Sequence, residues 1–148
     1  MKKLIAFCFA SAFWIAISSF SGKWGGDMFA IYLNGKQVHR QFVHVDQSVK
    51  TLSLVSGSEK DKIDVLYSHC GQSGKSRIIT IRNENNELVK KLSFGDGTND
   101  QSLMGFHRKE LGNFKQARVN LYYSSSELPE GKLLARIVWQ ETSAVAKR

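Results

Sequence analysis

Residues 28–42 read MFAIYLNGKQVHRQF, and this stretch decides the fold class. Its first half alternates, and the apolar residues that share one face of the extended chain are Phe29, Ile31 and Leu33. Asn34-Gly35 comes next, a pair that tolerates the positive φ angles of a type I′ turn, whose twist matches the flanking strands. A second extended run follows over residues 36–45. The stretch therefore predicts an antiparallel hairpin.

The same period of two recurs along the rest of the chain. Short alternating or apolar runs, separated by polar and glycine-containing segments, lie at residues 51–55, 63–69, 77–82, 87–94, 118–123 and 133–139. Leu128-Pro129-Glu130-Gly131 is predicted to form the turn before the last run, because proline and glycine suit its corners. The residues of that run predicted to face the core are Leu133, Ala135, Ile137 and Trp139.

Residues 103–114 are ambiguous, since a short helix ending at Gly112 and a strand followed by one helical turn both fit the pattern. Hairpin-linked strands with one apolar face must bury that face against a second sheet. We therefore predict an all-β fold. It is an antiparallel β-sandwich, or a flattened barrel, of about eight short strands with at most one short helix.

The chain begins with a pattern typical of a secretory signal peptide. Two lysines are followed by an apolar run over residues 4–17 and then by serines, which suit cleavage before Gly22. An uncleaved membrane anchor is the alternative, although the run is at the lower length limit for spanning a bilayer. The prediction is a signal peptide at 1–21, one β-sandwich domain at 22–141 and a flexible tail at 142–148. We expect a protein that is secreted or periplasmic, that is not integral to the membrane after cleavage, and whose leader suits a bacterium.

The composition is basic and nearly free of cysteine. The formal charge is +8, or about +6 without the two lysines of the leader. A basic exported domain can bind anionic surfaces, but lysines and arginines interspersed with acidic residues also make an ordinary mixed surface. Beyond the leader, Cys70 is the single thiol, so no disulfide can form within the mature chain. A small, inert thiol buried at the end of a strand is the favoured interpretation of it.

Residues 69–76 read HCGQSGKS, and the last three resemble the end of a phosphate-binding loop. That motif needs a glycine where His69 stands, and it must open a helix whose amide groups face the phosphate. Here the segment runs into Arg77-Ile78-Ile79-Thr80-Ile81-Arg82, which is typical of a strand. We therefore predict a strand-to-strand turn that uses Gly71 and Gly74, and no nucleotide.

His69 and Cys70 are the candidate reactive or metal-binding pair. A thiol-dependent enzyme would need an imidazole within hydrogen-bond reach of Cys70 and a third group to orient it. On a regular strand the side chain of His69 would point to the opposite face, and no usual zinc spacing or G-x-S-x-G elbow occurs. No catalytic residue, metal or cofactor is therefore assigned. An enzyme centred on this pair remains the first alternative.

The leading hypothesis is an exported, non-catalytic binding or structural module of the cell envelope or the extracellular space. Exposed aromatic and cationic side chains are its candidate contacts: Trp24, Arg40, Arg118 and Tyr122. The partner would be an envelope or extracellular protein or a glycan, and neither nucleotide nor nucleic acid is expected. A basic polyanion or membrane-surface binder is the second alternative. The sequence leaves the oligomeric state open.

Overall fold

The structure, a computed structural model, describes residues 26–43, 48–56, 59–99, 102–111 and 118–141. The predicted signal peptide at 1–21, Trp24 and the predicted tail at 142–148 lie outside the described residues. The described residues form nine strands: β1 (Met28–Leu33), β2 (Lys36–Phe42), β3 (Lys50–Ser56), β4 (Lys62–Ser68), β5 (Ile78–Arg82), β6 (Leu88–Ser93), β7 (Met104–His107), β8 (Arg118–Ser125) and β9 (Leu128–Glu141). One 3-10 helix, Arg108–Leu111, follows β7. No helix among the described residues is long and apolar enough to cross a bilayer.

The strands form two sheets, which confirms the predicted all-β class. The first has the order β2-β1-β4-β7, and the second has the order β3-β9-β8-β5-β6. All neighbouring strands are antiparallel except β3 and β9, which run parallel. Apolar side chains from both sheets form one buried core, with Phe29 and Ile31 from the first sheet and Ile79 and Leu121 from the second. The two sheets thus cover each other as a sandwich.

The hairpin predicted at residues 28–42 is confirmed. Asn34 and Gly35 have φ angles of 51° and 79°, which is the left-handed region that a type I′ turn requires. The Asn34 side chain also donates to the Asp61 carboxylate, 2.9 Å away, and accepts the backbone N–H of Lys62 at 2.9 Å. The turn is therefore held both by its own backbone preference and by the neighbouring strand.

β4 departs from the half-exposed strand that its sequence predicts. Residues 63–68 are all buried. Burial therefore extends to Asp64, Leu66 and Ser68, whose side chains point away from the core. β4 lies between β1 and β7, and neighbours on both sides shield it. Because β4 is central in the sheet, side chains of both neighbouring strands can pack beside its outer side chains.

Two predictions for the C-terminal half need correction. The chain reverses at Ser126-Glu127, whereas Leu128–Gly131, predicted as the turn, is the start of β9. Register shifts in the β8–β9 pair accommodate this segment, and Gly131 takes a φ of 73° there. After the irregular segment Leu134 is buried in place of Leu133.

Before β8, residues 104–111 adopt the second of the two predicted alternatives, a strand followed by one helical turn.

Candidate functional site

Three arginines occupy neighbouring positions on the outer side of the five-stranded sheet. Arg82 on β5 pairs with Asn120 on β8, and Asn120 pairs in turn with Arg136 on β9. Arg118 and Tyr122 lie two residues before and after Asn120, so they point to the same outer side. We call this surface, formed by Arg82, Arg118, Asn120, Tyr122 and Arg136, the arginine face.

Two guanidinium groups of the arginine face make solvent-exposed contacts. Arg118 lies 3.3 Å from Glu84, and both side chains of this pair are 64% exposed. Arg82 donates to the carbonyl oxygen of Asn86 at 2.8 Å. A cleft of about 530 Å³ lies between Arg118 and Arg136. Exposed ion pairs contribute little free energy, so a ligand anion can replace Glu84 at small cost.

Of the four predicted contact residues, the structure brings two together. Arg118 and Tyr122 share the arginine face, whereas Arg40 lies exposed on β2, in the other sheet. Trp24 lies outside the described residues. Sequence reasoning missed Arg82 and Arg136, because alternation indicates that each points outward but not which strands are neighbours.

His69 is the centre of a polar network that joins the two sheets. Its Nδ1 lies 3.2 Å from Asp27, just before β1, and its Nε2 lies 3.0 Å from the Tyr123 hydroxyl and 3.1 Å from the Ser125 hydroxyl, both on β8. Tyr67 donates to the same Asp27 carboxylate at 3.0 Å. Its ring stacks on that of Tyr123, with centroids 4.1 Å apart. We call these five residues the cross-sheet clamp.

The glycine segment that follows His69 is a turn, as predicted. Cys70 and Gly71 have φ angles of 51° and 90°, and His69 and Gln72 exchange backbone hydrogen bonds of 2.7 and 3.1 Å. The chain then enters β5 without forming a helix. The geometry that a phosphate-binding loop requires is therefore missing from residues 69–82.

Cys70 is exposed at this turn, so the expectation of a buried thiol is wrong. Residue 70 leaves the strand in a left-handed conformation, which turns its side chain outward. Its sulfur donates to the Asp27 carboxylate at 3.7 Å, while both ring nitrogens of His69 face other partners. The structure therefore does not bring the Cys70 thiol and the His69 imidazole together as a reactive pair.

A carboxylate, an imidazole and a hydroxyl contact one another in the manner of a catalytic triad, through Asp27, His69 and Ser125. The Ser125 hydroxyl is, however, buried. Ser125 is only 5% exposed. The main chain at Gly74 lies against two of the groups beside Ser125, since a Cβ at residue 74 would lie 3.0 Å from His69 Nε2 and would overlap the Tyr123 hydroxyl. Such low exposure does not suit attack on a substrate carbonyl. The arrangement acts as a structural clamp rather than a nucleophile site.

Burial dominates the electrostatics of the clamp. It raises the pKa of Tyr67 far above the ordinary value, and the negative charge of Asp27 raises it further. Burial likewise raises the pKa of Tyr123. At the rim, the backbone N–H of Lys75 donates to the Glu127 carboxylate and lowers its pKa. Both tyrosines are consequently held in the protonated form by the folded state.

These shifts predict a loss of stability in alkali. A tyrosine whose pKa is raised by folding stabilises the protein fully below the unfolded value of 10.0, and the contribution is lost as the pH rises above it. We expect the free energy of unfolding to fall above about pH 10, and to fall less steeply in a Tyr67→Phe/Tyr123→Phe variant. Urea unfolding at a series of pH values measures both slopes. Parallel slopes for the two proteins would contradict the prediction.

The fold and its surfaces define a small all-β sandwich with a polar clamp at one end and an arginine-rich outer face. No protein-family model matches the chain, and no curated protein is similar enough to match it. Among the described residues, no group of three or more histidines, cysteines or acidic residues is arranged to hold a metal ion.

Proposed function

We propose that the protein is an exported, non-catalytic β-sandwich module that binds an acidic glycan of the envelope or the extracellular space. The observation that carries this proposal is the placement of Arg82, Arg118 and Arg136 at neighbouring register positions around Asn120 on the arginine face. The predicted signal peptide and the basic charge of +8 support it.

The chemistry of the arginine face suits carboxylate or sulfate groups carried on a sugar chain. Arginine binds an oxyanion that presents two oxygens, such as a carboxylate, through two parallel hydrogen bonds, which a lysine cannot do. Arg82 and Arg136 stand two strands apart, or about 10 Å, so a ligand with several anionic groups fits better than a single small anion. Tyr122, beside them, offers an aromatic surface on which a sugar ring can pack.

The test is binding of the purified protein to polygalacturonate, with dextran as the neutral comparison. We expect binding to polygalacturonate that weakens steeply with salt, and a loss of at least about tenfold in an Arg118→Ala/Arg136→Ala variant, since each charge-assisted hydrogen bond contributes about 1.5–3 kcal/mol. Isothermal titration calorimetry measures the affinities.

The matched control is Lys36→Ala/Lys109→Ala, which removes the same charge from exposed positions outside the arginine face. This variant should bind within about twofold of the unmodified protein. Equal losses in the two variants would show that net charge alone drives binding. Binding to anionic lipid vesicles without binding to polygalacturonate would favour a membrane-surface protein instead.

A further inference from the structure

Glu84 places a carboxylate of the protein itself against the arginine face. It lies in the turn between β5 and β6, two residues beyond Arg82. Because Arg82 is paired with Asn120, the same antiparallel register brings residue 84 level with Arg118. The guanidinium of Arg118 donates to the Glu84 carboxylate at 3.3 Å. Glu84 also lines the cleft between Arg118 and Arg136, where a ligand anion is expected to bind.

The turn that carries Glu84 is held by hydrogen bonds that do not involve the Glu84 side chain. Asn83 is buried, its Oδ1 accepts the backbone N–H of Glu87 at 2.9 Å, and its Nδ2 donates to the Glu87 carboxylate at 2.6 Å. The Asn83 carbonyl accepts from the Asn120 side chain at 3.3 Å, which ties the turn to β8. The backbone position of Glu84 therefore does not depend on Arg118.

The ion pair between Glu84 and Arg118 is weak but always available. Both side chains are 64% exposed, and ion pairs of this kind contribute little free energy. Their contact joins one nitrogen to one oxygen, whereas the strongest arginine–carboxylate pairs use two parallel hydrogen bonds. A ligand carboxylate that aligns with the guanidinium can form that stronger arrangement. Because the turn keeps Glu84 beside Arg118, the ligand must still compete with a carboxylate at high effective concentration.

We propose that Glu84 is an intramolecular competitor of the ligand, which occupies the place of a ligand carboxylate at Arg118 and lowers the affinity of the arginine face. In the ligand-free protein Arg118 donates to Glu84. In the complex Arg118 donates to a carboxylate of the acidic glycan, and the Glu84 side chain turns into solvent. Since Glu84 can compete only if the arginine face binds the glycan, this role rests on the proposed function.

The experiment is a calorimetric titration of the Glu84→Gln variant with polygalacturonate at low ionic strength. The amide has nearly the same shape and no charge, so the variant should bind about two- to fivefold more tightly, which is the range that an exposed ion pair allows. The midpoint of thermal unfolding should stay unchanged. Glu59→Gln is the matched control, because it removes the same charge at an exposed position before β4, in the other sheet. An equal gain in both variants would show that net charge alone is responsible and would overturn the proposal.

A double-mutant cycle assigns the gain to Arg118. In the Arg118→Ala background, Glu84→Gln should raise the affinity by less than about 1.5-fold, because the carboxylate then has no guanidinium to occupy. A full gain without Arg118 would refute the competition. So would weaker binding by Glu84→Gln, which would make Glu84 a ligand contact.

The unmodified protein separates the two possible failures. If it binds polygalacturonate and Glu84→Gln binds equally well, the competition is refuted and the proposed function stands. If neither protein binds polygalacturonate, the proposed function fails as well.

Discussion

Replacing Gly74 by alanine should lower the free energy of unfolding by about 2–4 kcal/mol, since overpacking and broken hydrogen bonds add together. Gly74 is buried against the cross-sheet clamp, where a methyl group would overlap the Tyr123 hydroxyl and lie 3.0 Å from both Glu127 and His69. Tyr123 and His69 are hydrogen-bonded to each other, and Glu127 accepts from the backbone N–H of Lys75, so none of the three is free to move away. The new side chain must therefore separate the loop from β8.

Denaturant unfolding of the Gly74→Ala variant measures this cost. Gly95→Ala is the matched control, because residue 95 is exposed in a loop and nothing lies within 4 Å of the added Cβ. The control should change stability by no more than about 0.5 kcal/mol. If the two alanine variants proved equally stable, the close approach of Gly74 to the clamp would not exist in solution.

His69→Ala is expected to have a comparable effect, about 2–4 kcal/mol, through loss of hydrogen bonds rather than through crowding. The substitution removes the partner of the Tyr123 and Ser125 hydroxyls on β8 and one partner of Asp27. Tyr123 and Ser125 are buried, so water does not readily replace the imidazole. The attachment of the two sheets at this end should weaken.

Thermal and denaturant unfolding test the His69 variant, with His39→Ala as its control. His39 lies on β2 and makes one side-chain hydrogen bond, to Gln41. Its replacement should cost less than about 1 kcal/mol. A larger loss for His39→Ala than for His69→Ala would mean that the clamp contributes little to the sandwich. If Cys70 is equally exposed in the native state of both variants, the turn that follows residue 69 is intact. The loss of stability in His69→Ala then arises from the clamp itself.

The parts of the fold that were predictable depend on local patterns. The Asn34-Gly35 hairpin follows from a turn preference and a period of two, both contained within a few residues. The inward positions on β8, Val119 and Leu121, follow from the same alternation. The start of β9 was predicted wrongly because proline and glycine are equally compatible with a turn and with an irregular strand.

The candidate site was predictable only in part. Arg118 and Tyr122 were recognised because they lie close together on one strand. Their neighbours Arg82 and Arg136 come from other strands and could not be assigned to the same surface without the strand order. His69 was singled out for its proximity to Cys70 in sequence, but the structure directs its imidazole to Asp27 and β8 instead.

The all-β class, the first hairpin and the inward faces of several strands follow from the amino-acid sequence alone, since alternation and turn chemistry act over short segments. The parallel pairing of β3 with β9, the grouping of the arginine face, the cross-sheet clamp and the burial of Asp64 depend on tertiary structure. These features join strands that are distant along the chain. Their register depends on how the two complete sheets pack, and a shift of one residue would exchange the inner and outer faces of a strand.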